Sequence, residues 1–168
     1  MNTLKLLSLL KSDQAVGPIL LGVFPIDCLP AVNFKPAALV CNTDISKKSG
    51  SHWVCMYFSS KGTCNYFDSY GRNPSKKLRD YMLKYASNIN ISNKSVQLPF
   101  TSTCGQLCAY FLIWRVRIVL MKTILSSLEQ SYTDEFVTGF INGLFKIKTV
   151  IIDEAFIVNQ VSKMYKRN

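Results

Sequence analysis

The sequence has little acidic charge and almost no histidine. Ten Asp and Glu residues stand against twenty Lys and Arg, so the 168-residue chain carries a formal net charge of +10. Such an excess favours polyanionic partners, either nucleic acid or an acidic membrane surface. His52 is the one histidine, so any histidine-dependent chemistry has to run through it. The composition is otherwise globular, with 48% hydrophobic residues, which excludes a disordered or low-complexity chain.

The chain also lacks a long uninterrupted apolar run. Its most apolar stretch, Leu107 to Met121, is broken by Arg115 and Arg117, so we expect no segment that crosses a bilayer. The first residues have leucines interrupted by lysines and no small-residue cleavage site, so we expect no signal peptide. A chain of this size does not need disulfides for its stability. These features predict a reducing, intracellular compartment.

None of the six cysteines forms a C-x-x-C pair, and their spacings do not match the common zinc sites. The sequence therefore predicts no metal site and no small-molecule cofactor. Five of the cysteines are expected to be small buried hydrophobic residues: Cys28, Cys41, Cys55, Cys64 and Cys108.

Local patterns predict a single α+β domain over residues 1–168. Leucines at helical spacing predict a short helix that ends near Ser12. The segment from His52 to Asp68 has two β-rich runs around a Gly-containing turn, which predicts a hairpin. We expect turns and short extended pieces over 16–38, strands at 39–42 and 88–98, helices at 75–86, 133–146 and 152–165, and a buried helix from Cys104 through Ile118 to Met121.

Four residues could supply the groups of acyl transfer. His52 and Asp68 stand at opposite ends of the predicted hairpin, so antiparallel pairing would place a carboxylate beside the imidazole and orient the ring. Cys104 is expected at a helix N-terminus, where the helix dipole stabilises a thiolate, and Gly105 leaves room for a substrate. Gln97 could donate a side-chain N–H to an oxyanion, together with the backbone N–H of Cys104.

Each of these signals is weak by itself. A lone histidine is usually unremarkable, Asp68 could simply cap the turn that follows it, Cys104 could be a buried structural thiol, and Gln97 could be a surface residue. Together, in the order His, Asp, Gln, Cys, they supply a base, an orienting carboxylate, an oxyanion donor and a nucleophile.

The motifs around these residues resemble the adenovirus endoproteases, the adenain family. That family lies within a wider cysteine protease superfamily that includes the SUMO-deconjugating enzymes. The resemblance runs from about residue 15 to 115 and is carried by Gly17 to Gly22, Ala38 to Thr43, Gly50-Ser51-His52-Trp53, Phe67-Asp68-Ser69-Tyr70-Gly71 and Gln97 to Gly105.

The resemblance implies a papain-like α+β fold, in which a mixed β-sheet packs against a buried central helix that carries the nucleophile. It implies Cys104 as the nucleophile, His52 as the general base and acid, Asp68 as the orienting carboxylate and Gln97 as the oxyanion donor. Trp53 would line a narrow cleft that suits Gly-containing sites. The implied substrates are virion precursor proteins, processed in the virion and the host cell nucleus.

The resemblance also implies activation by DNA and by a viral peptide. Nonspecific DNA binding agrees with the net charge, and the basic clusters that could supply it are Lys47-Lys48, Arg72 with Lys76, Lys77 and Arg79, Arg115 with Arg117, and Lys163 with Lys166 and Arg167. Mammalian adenains hold their peptide through a cysteine about eleven residues before the glutamine. Ala86-Ser87-Asn88 occupies that region here, so the usual disulfide to the peptide is not expected.

Two further departures concern the acid and the C-terminal third. Asp68 stands where adenain usually has Glu, whereas the SUMO-type enzymes use Asp in this role. From about Val116 the chain matches no part of the family pattern. We therefore expect a divergent virus or a virus-like element as its source.

Two other functions stay open. A peptidase that removes ubiquitin-like modifiers would use the same cleft, because those modifiers end in Gly-Gly. A basic DNA-binding virion protein would keep the fold without the catalysis, although the presence of all four site residues argues against it. Short peptides, compared with a ubiquitin-like fusion, would separate the two enzyme functions.

Overall fold

The computed structural model describes residues 1–129 and 133–144. A mixed five-stranded sheet carries helices on both faces. The elements in chain order are α1 (Thr3–Ser12), a 3-10 turn (Gly17–Ile19), β1 (Leu20–Pro25), β2 (Ala37–Asn42), β3 (Trp53–Phe58), β4 (Thr63–Asp68), α2 (Lys76–Tyr85), β5 (Asn88–Ile91), α3 (Cys104–Val116), α4 (Met121–Glu129) and α5 (133–144).

The strands follow one another across the sheet in the order β1-β2-β3-β4-β5. The two outer pairs are parallel, and the two inner pairs are antiparallel. The predicted hairpin is confirmed as β3 and β4, with Val54 paired to Asp68 and Phe58 paired to Cys64. The start of β3 and the end of β4 therefore lie side by side at one edge of the sheet, together with the residues next to them.

The central strands are buried on both faces, because each face is covered by helices. Cys55 and Phe67 belong to the cluster that also contains the buried residues of α1, α3 and α4. Val54, Met56 and Tyr66 belong to the cluster on the opposite face, which contains the buried residues of α2. Nine residues of α3 are buried, as expected for a central helix that is apolar on most sides. The predicted α+β architecture, with a mixed sheet packed against a buried central helix, is confirmed.

The long buried helix ends earlier than its apolar spacing predicted. It stops at Val116, and Ile118, expected on its buried face, is 81% exposed with a φ of 68°. Arg117 donates two hydrogen bonds to the carboxylate of Asp13 at 2.9 and 3.1 Å and one to the carbonyl of Ile113. The chain therefore turns after one helix and begins another, α4, at Met121.

The strand predicted over 88–98 is also shorter, because the chain leaves the sheet after Ile91. The Ser92 hydroxyl accepts from the backbone N–H of Asp68 at 3.1 Å. The backbone N–H groups of Val96 and Gln97 both donate to the carbonyl of Ser69, at 2.8 and 3.0 Å. The segment after Ile91 therefore contacts the end of β4 through the Ser92 side chain and through isolated backbone hydrogen bonds.

Three further helices lie where the sequence predicted them. Helices α1, α2 and α5 agree with those expected at the N-terminus, at 75–86 and from Thr133. Cys28 is exposed, so its prediction as a buried hydrophobe was wrong, since it lies in the turn after β1. The helix predicted at 152–165 lies outside the described residues, and the single-domain prediction for the whole chain stays a prediction. In the described part of the chain, no helix is long and apolar enough to span a membrane.

Candidate active site

The two ends of the β3–β4 hairpin bring His52 and Asp68 together. Asp68 is the last residue of β4, and His52 directly precedes β3. Nε2 of His52 lies 2.8 Å from Oδ1 of Asp68, and the two residues are only 8% and 3% exposed. The carboxylate therefore selects a tautomer with hydrogen on Nε2 and leaves Nδ1 of the ring for another partner.

Asp68 orients the histidine and shapes the following turn at the same time. Its Oδ1 also accepts from the backbone N–H of Tyr70 at 2.8 Å, and its carbonyl accepts from the N–H of Gly71 at 2.9 Å. Gly71 has a φ of +66°, which a side chain would disfavour. The capping role and the catalytic role considered for this aspartate are therefore compatible, because the capping uses only part of its acceptor capacity.

Cys104 is the first residue of α3 and faces the histidine from the neighbouring layer. It is 8% exposed. Its thiol is hydrogen-bonded to the side chain of His52 and to the backbone groups of Trp53 and Gly105. Because α3 begins here, the positive end of its dipole also favours a thiolate.

The pKa values of the two groups move in the directions that favour an ion pair. Burial by itself would lower the pKa of His52, but the hydrogen bonds and charges of Asp68 and Cys104 raise it to about 9. Burial by itself would raise the pKa of the Cys104 thiol, but the hydrogen bonds from His52 and Trp53 bring it below its ordinary value. Both shifts favour a thiolate beside an imidazolium.

Other thiols in the core behave in the opposite way. Burial raises the pKa of Cys41 to about 12 and the pKa of Cys108 well above its ordinary range. Cys108 lies one turn after Cys104, where its thiol donates to the carbonyl of Trp53 at 3.4 Å. The hydrogen bond with His52 lowers the pKa of Cys104, whereas deeper burial raises the pKa of Cys108.

Gln97 is buried, and both ends of its side-chain amide are held. Oε1 accepts from the hydroxyl of Ser69 at 2.6 Å, and Nε2 donates to the carbonyl and the hydroxyl of Thr101 at 2.9 and 3.2 Å. Gln97 is 4% exposed. Ser69 follows Asp68 directly, so the amide is connected to the same turn that holds the carboxylate.

Trp53 and Gly105 lie next to each other beside the thiol. A Cβ on Gly105 would lie 3.5 Å from Cδ1 of Trp53, and 3.6 and 3.7 Å from atoms of Met1 and Leu6. Trp53 is half-buried and lines a cavity of about 220 Å³ together with Phe24, Asn42 and Gly50. Gly50, which lines this cavity, lies two residues before His52 in the chain.

Sequence reasoning gave no role to several residues that complete the site. Tyr70 lies beside the imidazole, with ring centroids 5.0 Å apart, and the guanidinium of Arg72 lies 4.7 Å from the centre of the Tyr70 ring. Ser69 and Thr101 hold the Gln97 amide. Ser69 and Tyr70 directly follow Asp68, so their position in that motif could have indicated a role in the site. No local sequence feature indicates a role for Thr101.

Within residues 1–129 and 133–144, no group of three His, Cys, Asp or Glu side chains is placed to hold a metal ion. All six cysteines are free thiols.

The thiol of Cys104 lies at a helix start beside an imidazole that a carboxylate orients, on a mixed sheet packed against a buried helix. The chain matches no family model. In sequence it is similar to the protease of bovine adenovirus C serotype 10, with 28% identity over 116 residues, 60% of this chain and 59% of the relative. Its identity to the protease of human adenovirus A serotype 12 is 26% over 117 residues, 60% of this chain and 57% of the relative.

The fold is similar to that of the ASFV pS273R protease, with a TM-score of 0.61 and 18% sequence identity over 86% of this chain and 66% of the solved chain. The resemblance to adenovirus proteases that the motifs indicated is therefore confirmed, and so is the fold. The chain spans less than two thirds of the length of the adenovirus proteases that it matches.

Proposed function

We propose that the protein is a viral cysteine endopeptidase that cleaves virion precursor proteins at Gly-containing sites. The observation that supports this most directly is the buried, hydrogen-bonded series from Cys104 through His52 to Asp68. The similarity to adenovirus proteases supports the viral setting. The virion and the host cell nucleus are the proposed places of action.

In the proposed reaction, the thiolate of Cys104 attacks the carbonyl carbon of the scissile peptide bond. The carbonyl oxygen becomes an oxyanion, for which the side-chain amide of Gln97 and the backbone N–H of Cys104 are the proposed donors. When the C–N bond breaks, the imidazolium of His52 gives its proton to the leaving amine. A water molecule, deprotonated by His52, then hydrolyses the thioester and releases the thiolate and the carboxylic acid product.

Asp68 would keep the imidazole in the productive orientation through both steps. Because it accepts from Nε2, it directs Nδ1 toward the sulfur and stabilises the positive charge on the ring. It receives a second hydrogen bond from the backbone N–H of Tyr70, which fixes the carboxylate itself. The ring therefore has little freedom to turn away from Cys104.

The preference for glycine is proposed from the space around the thiol. Gly105 follows Cys104, and a Cβ at Gly105 would lie 3.5 Å from the ring of Trp53, so a substrate backbone that passes here has an indole ring on one side. A residue without a Cβ would approach the sulfur most closely. The cavity next to Trp53 is a candidate subsite for a neighbouring substrate side chain.

Activation by nonspecific DNA is part of the proposal, and the basic clusters differ in their freedom to take part. Arg117 pairs with Asp13, and the Arg115 guanidinium lies 5.2 Å from the ring of Tyr57. In contrast, Lys77 and Arg79 are exposed on α2, so this cluster is the better candidate. An activating peptide is proposed as well, without the usual disulfide, because Ala86 to Asn88 contains no cysteine.

Thiol alkylation tests the proposed catalytic pair. The protein is treated with iodoacetamide at about pH 6, where an ordinary thiol is mostly protonated, and the labelled cysteines are mapped by mass spectrometry. We expect Cys104 to react faster than Cys28, which is the internal control because it is exposed. In His52→Ala this preference disappears. Equal labelling of Cys104 and Cys28 in the unmodified protein would contradict the proposal.

Substrate assays then test the reaction itself. Fluorogenic peptides with Gly at the cleaved bond and a ubiquitin-like fusion are compared, each with and without double-stranded DNA. We expect the peptides to be cleaved, faster with DNA, and Cys104→Ala to be inactive. Cleavage of the fusion alone would replace the endopeptidase with a deconjugating peptidase. If the unmodified protein and Cys104→Ala both bind DNA and neither cleaves any substrate, the result would support a non-catalytic, DNA-binding virion protein.

A further inference from the structure

The loop between Gln97 and Cys104 is not held by core packing. Leu98 is 56% exposed, Phe100 is fully exposed, and the φ of Phe100 is 64°, a region that side chains disfavour. The loop nevertheless connects the proposed oxyanion donor to the proposed nucleophile. Its conformation therefore has to be fixed by polar contacts.

Those contacts converge on one carboxylate, that of Asp134 in the first turn of α5. Its Oδ2 accepts from the backbone N–H of Leu98 at 3.2 Å, and its Oδ1 accepts from the hydroxyl of Thr101 at 3.0 Å. The hydroxyl of Thr103 also donates to Oδ1. Three donors from a loop of six residues thus reach a side chain more than thirty positions later in the chain.

The contact with Thr101 continues to Gln97. The Thr101 hydroxyl has one hydrogen to donate, and its two nearest acceptors are the carbonyl of Leu98 at 2.9 Å and the carboxylate of Asp134 at 3.0 Å. The carboxylate is the stronger acceptor. When Thr101 donates to Asp134, its oxygen lone pairs accept from Nε2 of Gln97, as the 3.2 Å distance indicates. The Nε2 group of Gln97 has two hydrogens. One of them can be shared between the carbonyl and the hydroxyl oxygens of Thr101, because both oxygens belong to one residue. The second hydrogen is then left for an oxyanion.

The contact with Thr103 affects the start of α3. Thr103 is the N-cap residue, a position where a Thr hydroxyl usually accepts from the first backbone N–H groups of the helix. Here it makes no such bond and donates to Asp134 instead. The N–H groups at the helix start are therefore left for a substrate oxygen.

We propose that Asp134 is a positioning residue for the oxyanion site, because its carboxylate holds Thr101 against the Gln97 amide and keeps Thr103 away from the N-terminus of α3. This inference rests on the proposed cysteine protease function. It assigns a role to α5, which lies in the third of the chain that matches no part of the family pattern.

The test compares Asp134→Asn with Glu135→Gln, a matched control at the exposed neighbouring position. The probe is a short peptide nitrile ending in Gly. The Cys104 thiolate adds to the nitrile carbon, the nitrogen takes a proton from His52, and the resulting thioimidate nitrogen occupies the place of the oxyanion. Iodoacetamide serves as the second reagent, because alkylation displaces iodide and forms no oxyanion.

We expect Asp134→Asn to weaken nitrile inhibition about tenfold, less than the roughly 10²–10³ for removing an oxyanion donor outright. Its alkylation rate and the behaviour of Glu135→Gln stay unchanged. In the double variant with Gln97→Ala, the loss of inhibition is smaller than the product of the two single losses, because Asp134 acts in part through Gln97. Additive losses, or a parallel fall in alkylation, would overturn the inference.

A second measurement does not depend on catalysis. In ¹⁵N-labelled protein, the side-chain NH₂ signals of Gln97 are assigned by their absence in Gln97→Ala. We expect these hydrogens to exchange with water about tenfold faster in Asp134→Asn than in Glu135→Gln. Equal exchange in the two variants overturns the inference. Failure of the wild-type protein to bind the nitrile, with Cys104 no more reactive than Cys28, instead refutes the protease function on which it rests.

Discussion

Replacing Asp68 by Asn tests whether the carboxylate sets the charge state of the proposed catalytic pair, Cys104 and His52. Asn keeps the shape of the side chain but loses the charge that helps to raise the pKa of His52 to about 9. The difference between about 9 and the ordinary 6.5 corresponds to roughly 3 kcal/mol in favour of the imidazolium. Since burial works against that charge, we expect the pKa of His52 in Asp68→Asn to fall to its ordinary range or below.

The consequence for Cys104 follows from the sign of this change. With a pKa of about 9, His52 is protonated at pH 6 to 8 and stabilises the thiolate. In Asp68→Asn the ring is largely neutral at pH 8, so the thiol holds its own proton and its pKa rises. We expect the alkylation rate of Cys104 at pH 8 to fall about tenfold or more, since a tenfold change needs only about 1.4 kcal/mol of the available 3.

The assay is the rate of iodoacetamide labelling of Cys104 between about pH 5 and 10. In the unmodified protein we also expect cleavage to decline above pH 9, where His52 can no longer protonate the leaving amine. In Asp68→Asn this decline moves down by about one pH unit or more. The matched control is Asp80→Asn, an exposed aspartate on α2 that pairs with Lys76. A labelling profile in Asp68→Asn that superimposes on that of the control refutes the reasoning.

Three further predictions concern the oxyanion donor, the core and the charged surface. Gln97→Ala lowers kcat by roughly 10²–10³ while the alkylation rate of the thiol stays within about twofold; equal losses in both assays would contradict the assigned role. Phe111→Ala removes a ring stacked 4.6 Å from Phe67 and lowers the free energy of unfolding by about 3–5 kcal/mol in denaturant titrations. Lys77→Ala reduces the slope of log affinity for double-stranded DNA against log salt by about 1, whereas an unchanged slope would remove α2 from the DNA surface.

The elements that could be predicted are those whose signals are local. The β3–β4 hairpin follows from β-rich runs around a Gly turn, and α2 follows from a Ser cap, since Ser75 accepts from the N–H of Leu78. The end of α3 could not be predicted in this way. The apolar spacing continues to Met121, but the pairing of Arg117 with Asp13, residues far apart in the chain, accompanies the turn. Tertiary contacts therefore override the periodicity.

The candidate site shows the same division. The positions of His52, Asp68 and Cys104 could be recognised because each has a local reason, at a hairpin end or a helix start. Gln97 was expected at a strand end, but it lies in the segment after β5, which ends at Ile91. The partners of Gln97 could not be recognised, since Ser69 and Thr101 hold its amide through contacts formed only in the folded chain. Asp134 of α5, whose carboxylate accepts hydrogen bonds from the loop between Gln97 and Cys104, lies still further along the chain. No sequence motif surrounds it.

The geometry of the site follows from two different kinds of support. On the nucleophile and base side, Phe67 directly before Asp68 stacks on Phe111 of α3, and Cys108 of the same helix donates to the carbonyl of Trp53. These contacts belong to a close-packed core, which resists small displacements, so the pair should be assembled without a substrate. The oxyanion side depends on hydrogen bonds across an exposed loop, which open at a lower cost in free energy than a core does. We therefore expect the proposed activation by a peptide or DNA to change the Gln97 side of the site and to leave the contact between Cys104 and His52 unchanged.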